Sequence, residues 1–388
     1  MTYSIQTLNN ISDKGLSLLP KSKYTVANEA KNPDAILLRS FKMHDMDIPS
    51  SLKAVGRAGA GVNNIPLDKM SEAGVVVFNA PGANSNAVKE LVIAGMLMAC
   101  RNLVLARDFA INLEGEDPDI MKQVEAGKKH FAGFELPGRT LGVVGLGAIG
   151  VLVANAAIAL GMRVIGYDPL ISVEKAWELD AHVEKAQNID YLLQESDFVT
   201  FHVPLVDATK NLINASSIQT MKDNAVILNF ARDGIVDDEA VCAALDSGKL
   251  YSYVCDFPSN LLNNHERVIA LPHLGASTSE AEQNCAIMVA NEVRDYLEDG
   301  TIKNSVNMPS IALRLKGNSR LAMVHKNIPN MVGQLTHILG KADANIIHMV
   351  NGSRDNVAVT LMDLEEAVDD ATEEELSAID GMLQLRVL

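Results

Sequence analysis

The sequence predicts an α/β protein built on parallel sheets, and three observations carry that prediction. Short apolar runs alternate with longer helical patterns through the first ~300 residues, as βαβ units do. A glycine-rich turn joins one apolar run, Leu141–Val144, to an Ala-rich helix that starts near Ala148. Hydrophobic residues make up 48% and charged residues 21% of the 388, the balance of a globular chain with a real interior. That length exceeds one ordinary core, so two or three domains are expected.

The elements follow in order. Strands are expected from Tyr3 and at 35–38, 53–55 and 75–78, followed by a long helix from about Ser85 to Asn102. Apolar residues nearly encircle that helix, which marks it as buried. A second series opens at Thr140 and continues through strands near 163–167, 197–201, 225–230 and 251–255. After 304–309, Lys316-Gly317-Asn318-Ser319 suggests a linker. From Arg320 the pattern runs strand, helix, strand, strand, helix, strand, the order of a ferredoxin-like module of about 70 residues.

Charge and cysteine usage exclude several functions. A net charge of -16 would repel a nucleic-acid backbone, although a local cluster of cations can still hold a small anion. Cys100, Cys242, Cys255 and Cys285 form no C-x-x-C pair, so neither a metal site nor a disulfide framework is expected, and a reducing cytoplasm fits. The N-terminus lacks a basic and apolar leader, and no window reaches about 18 apolar residues, so neither secretion nor membrane insertion is expected.

Gly145-Leu146-Gly147-Ala148-Ile149-Gly150 has the context that a dinucleotide turn needs, strand before and helix after. Gly145 permits the tight turn, Gly147 lets backbone approach a pyrophosphate, and Gly150 lets helix and strand pack closely. The helix N-terminus faces the phosphates with free N–H groups. Asp168, eighteen residues beyond Gly150 at the end of the next strand, suits the ribose hydroxyls and favours NAD over NADP. This is a Rossmann pattern.

Four further stretches, each after an apolar strand, resemble the signatures of D-2-hydroxyacid dehydrogenases: 201–205 with His202, Val203 and Pro204, 229–237 with Ala231 and Arg232, 254–258 with Asp256, and 272–278 with His273 and Gly275. The resemblance covers nearly the whole chain. It implies a Rossmann NAD-binding domain (91–274) inserted in a flavodoxin-like substrate domain (1–90 and 275–308), with a C-terminal ACT domain (319–388). The residue types suit the chemistry. Oxidising a 2-hydroxy acid needs a base for the hydroxyl proton, here His273, and a cation that grips the carboxylate, here Arg232. By resemblance, Asp256 meets the nicotinamide carboxamide and Ala231 supplies a backbone contact. The family's usual Glu four or five positions after that acid is replaced by Asn260 and Leu261. The expectation is that the Asn260 amide orients His273, as in the similar formate dehydrogenases, with a less elevated imidazole pKa because an amide carries no charge.

The N-terminal lobe resembles the phosphoglycerate dehydrogenase branch of the family. Arg57 and backbone at Gly59, Ala60, Gly61 and Val62 would hold a substrate carboxylate, Arg39 a substrate phosphate, and Lys128 and Lys129 the phosphate from a neighbouring subunit. In the C-terminal segment, His325, Asn327 and Asn345 match serine-binding positions, which implies L-serine as effector. Asn330 replaces a more usual Gly after Pro329, and Asn tolerates positive φ, so the turn is expected to survive. The expected reaction is oxidation of 3-phospho-D-glycerate with NAD by a homodimer or homotetramer. Two alternatives stand: action on another D-2-hydroxy acid or 2-oxoglutarate, or a dinucleotide sensor that has lost turnover.

Overall fold

The computed structural model describes residues 2–263, 265–313 and 318–388. Lys316 and Gly317 of the expected linker lie outside the described residues. The chain divides into two units, 1–84 with 279–388, and 85–278.

In the first unit, β1 (Tyr3–Leu8), β2 (Tyr24–Ala27), β3 (Ala35–Leu38), β4 (Ala54–Arg57) and β5 (Val76–Phe78) form a parallel sheet in the order β2-β1-β3-β4-β5. That is the doubly wound order expected of a flavodoxin-like lobe. β3 is buried along its whole length, so its unbroken Ala-Ile-Leu-Leu run is what a strand covered on both faces requires. The helix Ser279–Asp299 packs on this sheet through Cys285, Ala286, Val289, Val293, Tyr296 and Leu297.

The second unit holds β6 (Thr140–Val144), β7 (Arg163–Tyr167), β8 (Glu184–Lys185), β9 (Phe198–Phe201), β10 (Ala225–Asn229), β11 (Leu250–Cys255) and β12 (Val268–Ala270). They form one parallel sheet in the order β12-β11-β10-β9-β6-β7-β8, a doubly wound sheet of Rossmann type. The helix Ser85–Cys100 packs here through one face that includes Val88, Val92 and Met96. It stops short of the expected Asn102, which takes a left-handed φ of 50° while its Oδ1 accepts the Tyr251 hydroxyl at 2.9 Å.

The C-terminal segment belongs to the first unit. β13 (Ser319–Lys326), the helix Met331–Lys341, β14 (Ile346–Arg354), β15 (Val357–Leu364), the helix Asp370–Ser377 and β16 (Met382–Val387) follow the expected β-α-β-β-α-β order. Their antiparallel sheet runs β14-β15-β13-β16. Asn330 does adopt positive φ, 65°, ahead of the first of these helices. Two buried arginines tie this sheet to the end of the Ser279–Asp299 helix. Arg320 pairs with buried Asp363 and donates to the Asp299 carbonyl at 2.9 Å, while Arg386 donates to the carbonyls of Tyr296 and Leu297. Cations there also suit the negative end of the helix dipole.

Candidate active site

The second unit's sheet register sets the site. Tyr167 pairs with Val144, Val144 with Phe201, Phe201 with Asn229, Asn229 with Cys255, and Cys255 with Ala270. These six residues make one row at the carboxyl ends of six adjacent strands. One to three positions beyond the row come Asp168, Gly145, His202, Ala231 and Arg232, Asp256, and His273. The edge where ligands bind in open α/β sheets therefore carries every nucleotide and catalytic residue expected from the motifs at 145–150, 168, 202, 232, 256 and 273.

At the glycine turn, Gly145 has a φ of 91°, and a Cβ there would lie 2.6 Å from the His202 carbonyl oxygen. A Cβ on Gly150 would lie 1.9 Å from the Gly145 carbonyl oxygen, so only glycine lets the helix start against the strand. Gly147 is different: open space surrounds its Cβ position, and it begins the helix Ala148–Ala159 without any side-chain cap. The Asp168 carboxylate accepts the N–H groups of Leu146 and Leu170, each at 2.8 Å, and so ties the turn to the end of β7. Beside it, His202 bonds Thr200 through Nε2 at 3.1 Å, while its Nδ1 is sealed from water without a partner among the described residues. Burial pushes its pKa down to about 3, so this ring is neutral at physiological pH.

The catalytic candidates occupy strands on either side of Asp256. Strand ends two positions apart in a sheet are separated by about 10 Å, so Arg232 after β10 and His273 after β12 start within side-chain reach of one intervening space. Arg232 is exposed and donates to the Ala231 carbonyl at 2.6 Å. Buried Asn229 shapes that loop, accepting from the Ala231 N–H and donating to the Arg232 carbonyl. His273 is exposed at a φ of 56°, a left-handed conformation that costs a non-glycine residue roughly 1–3 kcal/mol when strained. Asp256, 1% exposed, holds it there: its two carboxylate oxygens accept the N–H groups of Leu274 and Gly275, both at 2.7 Å. Phe257 meets the imidazole edge to face, with ring centroids 5.2 Å apart. Asn260 lies exposed in the loop that follows β11. The motifs did not reveal that Asn229 and Asp256 act as anchors of the Arg232 and His273 loops. A buried polar residue at the carboxyl end of an apolar strand was the available signal.

The residues expected to meet substrate fall in both units. In the first, Arg57 Nε donates to the Arg39 carbonyl at 3.1 Å, and Gly59 leaves room for the Arg57 guanidinium, which a Cβ would approach to 2.4 Å. Buried Asn64, not anticipated, fastens the neighbouring loop through the Arg39 and Phe41 carbonyls. The Arg39 guanidinium is ion-paired with Glu282. In the second unit, Lys128 and Lys129 sit exposed in a 3-10 turn, Lys128 paired with Glu125.

The three effector candidates do not converge within one chain. His325, buried in β13, spends its ring nitrogens on the Lys326 carbonyl and the Thr360 hydroxyl, and Asn327 donates to the Asp355 carbonyl. Asn345 precedes β14 and bonds Glu365, near the Ser319 end of the sheet, whereas His325 pairs with Ala358 at the other end.

Residues 93–275 match the family described as "D-isomer specific 2-hydroxyacid dehydrogenase, NAD binding domain". A hydroxypyruvate reductase of Thermotoga maritima is 35% identical over 290 residues, which cover 72% of this chain and 87% of that protein. The chain belongs to the D-isomer specific 2-hydroxyacid dehydrogenase family. Another relative in this dehydrogenase family, a D-3-phosphoglycerate dehydrogenase of Methanocaldococcus jannaschii, is 35% identical over 85% of this chain and 62% of its own length. The chain spans between 54% and 62% of the length of the first curated relatives it matches. Among solved structures, the NAD+-bound 3-phosphoglycerate dehydrogenase of Entamoeba histolytica is 26% identical with a TM-score of 0.61, over 79% of this chain and 99% of that one. As a member of this dehydrogenase family the chain takes NAD, and its residues fit that cofactor. The open space at Gly147, the uncapped helix behind it and the half-buried Asp168 carboxylate present, in sequence, room for a pyrophosphate, donors for it, and an acceptor for ribose hydroxyls.

Proposed function

We propose that this chain oxidises 3-phospho-D-glycerate to 3-phosphohydroxypyruvate, an entry step to L-serine, with NAD as hydride acceptor. The observation that carries the reading is the pairing of His273 and Arg232 on strand ends either side of Asp256, beyond one register row. Several relatives named D-3-phosphoglycerate dehydrogenase support the substrate. In this reading His273 takes the hydroxyl proton as C2 loses hydride, and Arg232 grips the carboxylate and steadies the charge on the forming carbonyl. The His273 loop, pinned by Asp256, holds the imidazole in place for that transfer. Arg57 and the 59–62 backbone bind the substrate carboxylate, Arg39 its phosphate, and Lys128 and Lys129 of a neighbouring copy assist. Asn260 orients His273, so Asn260→Glu, which adds a charge that favours imidazolium, raises the apparent pKa of the base in the pH–rate profile.

The C-terminal β-α-β-β-α-β segment, 319–388, is an ACT module in this reading, beside an NAD domain at 91–274 and a substrate domain at 1–90 and 275–308. Because His325 and Asn327 lie far along the sheet from Asn345, an L-serine site built from all three requires residues from two copies. In this reading the chain works as a homodimer or homotetramer, in the cytoplasm.

The test is steady-state NAD reduction with 3-phospho-D-glycerate, repeated with L-serine. NADH formation that L-serine suppresses is expected. No NADH with this acid, alongside turnover of D-glycerate or 2-hydroxyglutarate, would overturn the substrate. The similarity to a hydroxypyruvate reductase favours the unphosphorylated acid as second reading.

A further inference from the structure

The carboxyl edge of the five-stranded sheet carries a polar pocket. Asn10, Ser12 and Asp13 line it after β1, Arg39 after β3 and Ala58 after β4, and the first turn of the Ser279–Asp299 helix closes it with Glu282 and Gln283. Across this pocket the Glu282 carboxylate is ion-paired with the Arg39 guanidinium. The partners are far apart in sequence, and neither is buried: the Arg39 side chain is 34% exposed and that of Glu282 47%. A half-exposed pair of this kind is weak and exchanges partners readily. Asn9 accepts the N–H groups of Ser40 and Phe41, which fixes the backbone just after Arg39 and leaves its side chain as the movable part.

We propose that Glu282 is a specificity-determining residue that competes with the substrate's terminal anion for Arg39, which rests on the reading that Arg39 meets that anion. While Glu282 holds the guanidinium, only a fraction of molecules present a free cation, and the apparent affinity for any ligand needing it falls by that fraction. The remaining negative charge also repels an anion that arrives. Glu282 therefore narrows the advantage of phosphorylated acids over acids with a neutral tail. Ligands that do not reach Arg39 are indifferent to it. One charge at about 4 Å in a water-like medium is worth a factor of about five in binding, and salt weakens the effect.

Calorimetry on the full chain tests this, with 3-phospho-D-glycerate and D-glycerate as titrants at low salt. Glu282→Gln keeps the side chain's shape and removes its charge. It should tighten 3-phospho-D-glycerate about fivefold and leave D-glycerate unchanged, and 0.5 M salt should erase the gain. In an Arg39→Gln background the same substitution should gain clearly less, because only the relief of direct repulsion is left. An unchanged or weaker affinity for the phosphorylated acid in Glu282→Gln overturns the proposal, as does a gain of the same size without Arg39. Binding in the expected pattern without NAD reduction would sink the proposed reaction and keep this inference. Turnover of the phosphorylated acid with no effect of Glu282→Gln would do the reverse, and a wild-type chain that binds neither acid would remove both.

Discussion

The buried carboxylate of Asp256 accepts the backbone N–H of Gly275 at 2.7 Å, two residues beyond His273. With the matching bond from Leu274, this contact fastens the loop that displays the imidazole at positive φ. Hydrogen bonds to a charged group are worth about 1.5–3 kcal/mol each. Asp256→Asn replaces one acceptor by a donor that faces an N–H, so kcat/KM should fall about 10- to 100-fold. Steady-state kinetics checks this, and a variant with wild-type kcat/KM would show that the loop holds without the charge.

The glycine turn offers a contrast between two substitutions. Gly150→Ala places a Cβ 1.9 Å from a carbonyl oxygen, so it should lower the melting temperature and abolish NADH binding together. Gly147→Ala meets nothing within 4 Å, so the fold should keep its melting temperature. Its Cβ nevertheless occupies the approach to the pyrophosphate, and the Kd for NADH, read by fluorescence titration, should rise about tenfold or more.

Arg320 and Asp363 are 2% and 0% exposed. Asp363→Ala strands the guanidinium in a dry interior and should cost about 3–5 kcal/mol. The double variant Arg320→Met/Asp363→Leu removes both charges and should recover much of that loss. Urea denaturation of the single and double variants measures both.

Glu292 is 7% exposed, with one oxygen accepting from Asn304 and the other without a partner among the described residues. Burial pushes its carboxyl up to about 8. Between the ordinary carboxyl value of about 4.3 and that value, the folded chain holds a proton that the unfolded chain releases. Stability attributable to this group therefore declines as pH rises through that window and levels off above it. Glu292→Gln should flatten the pH dependence of the urea midpoint over that range and be the more stable form at alkaline pH. Identical slopes for both proteins would contradict it.

The sequence foretold features that have a local cause. The glycines at 145–150 and the β-α-β-β-α-β succession after Arg320 follow from spacing, and Asn330 enters a helix at positive φ because an amide side chain tolerates that conformation. Less local features escaped it. The apolar run ahead of 272–278 reads as a strand, Val268–Ala270, but its place beside β11, which positions His273, is set by tertiary pairing and not by local pattern. Asp256 resembles a cofactor contact by motif, whereas its bonds to the His273 loop depend on a register set by a different strand. The ion pair of Arg39 with Glu282 joins residues that come together only when the helix at 279–299 returns to the N-terminal sheet.

The arginines at 320 and 386 close on carbonyls of the helix at 279–299, and Ala322, Val324 and Leu361 of the C-terminal sheet are part of the same core as the five-stranded sheet. A module joined only by a tether could be swapped or deleted without harm to its host. The C-terminal segment could not: cutting the gene before residue 319 would strip apolar cover from the lobe that bears Arg39 and leave a helix terminus bare. Natural or engineered shortening of this protein therefore has to rebuild that surface as well.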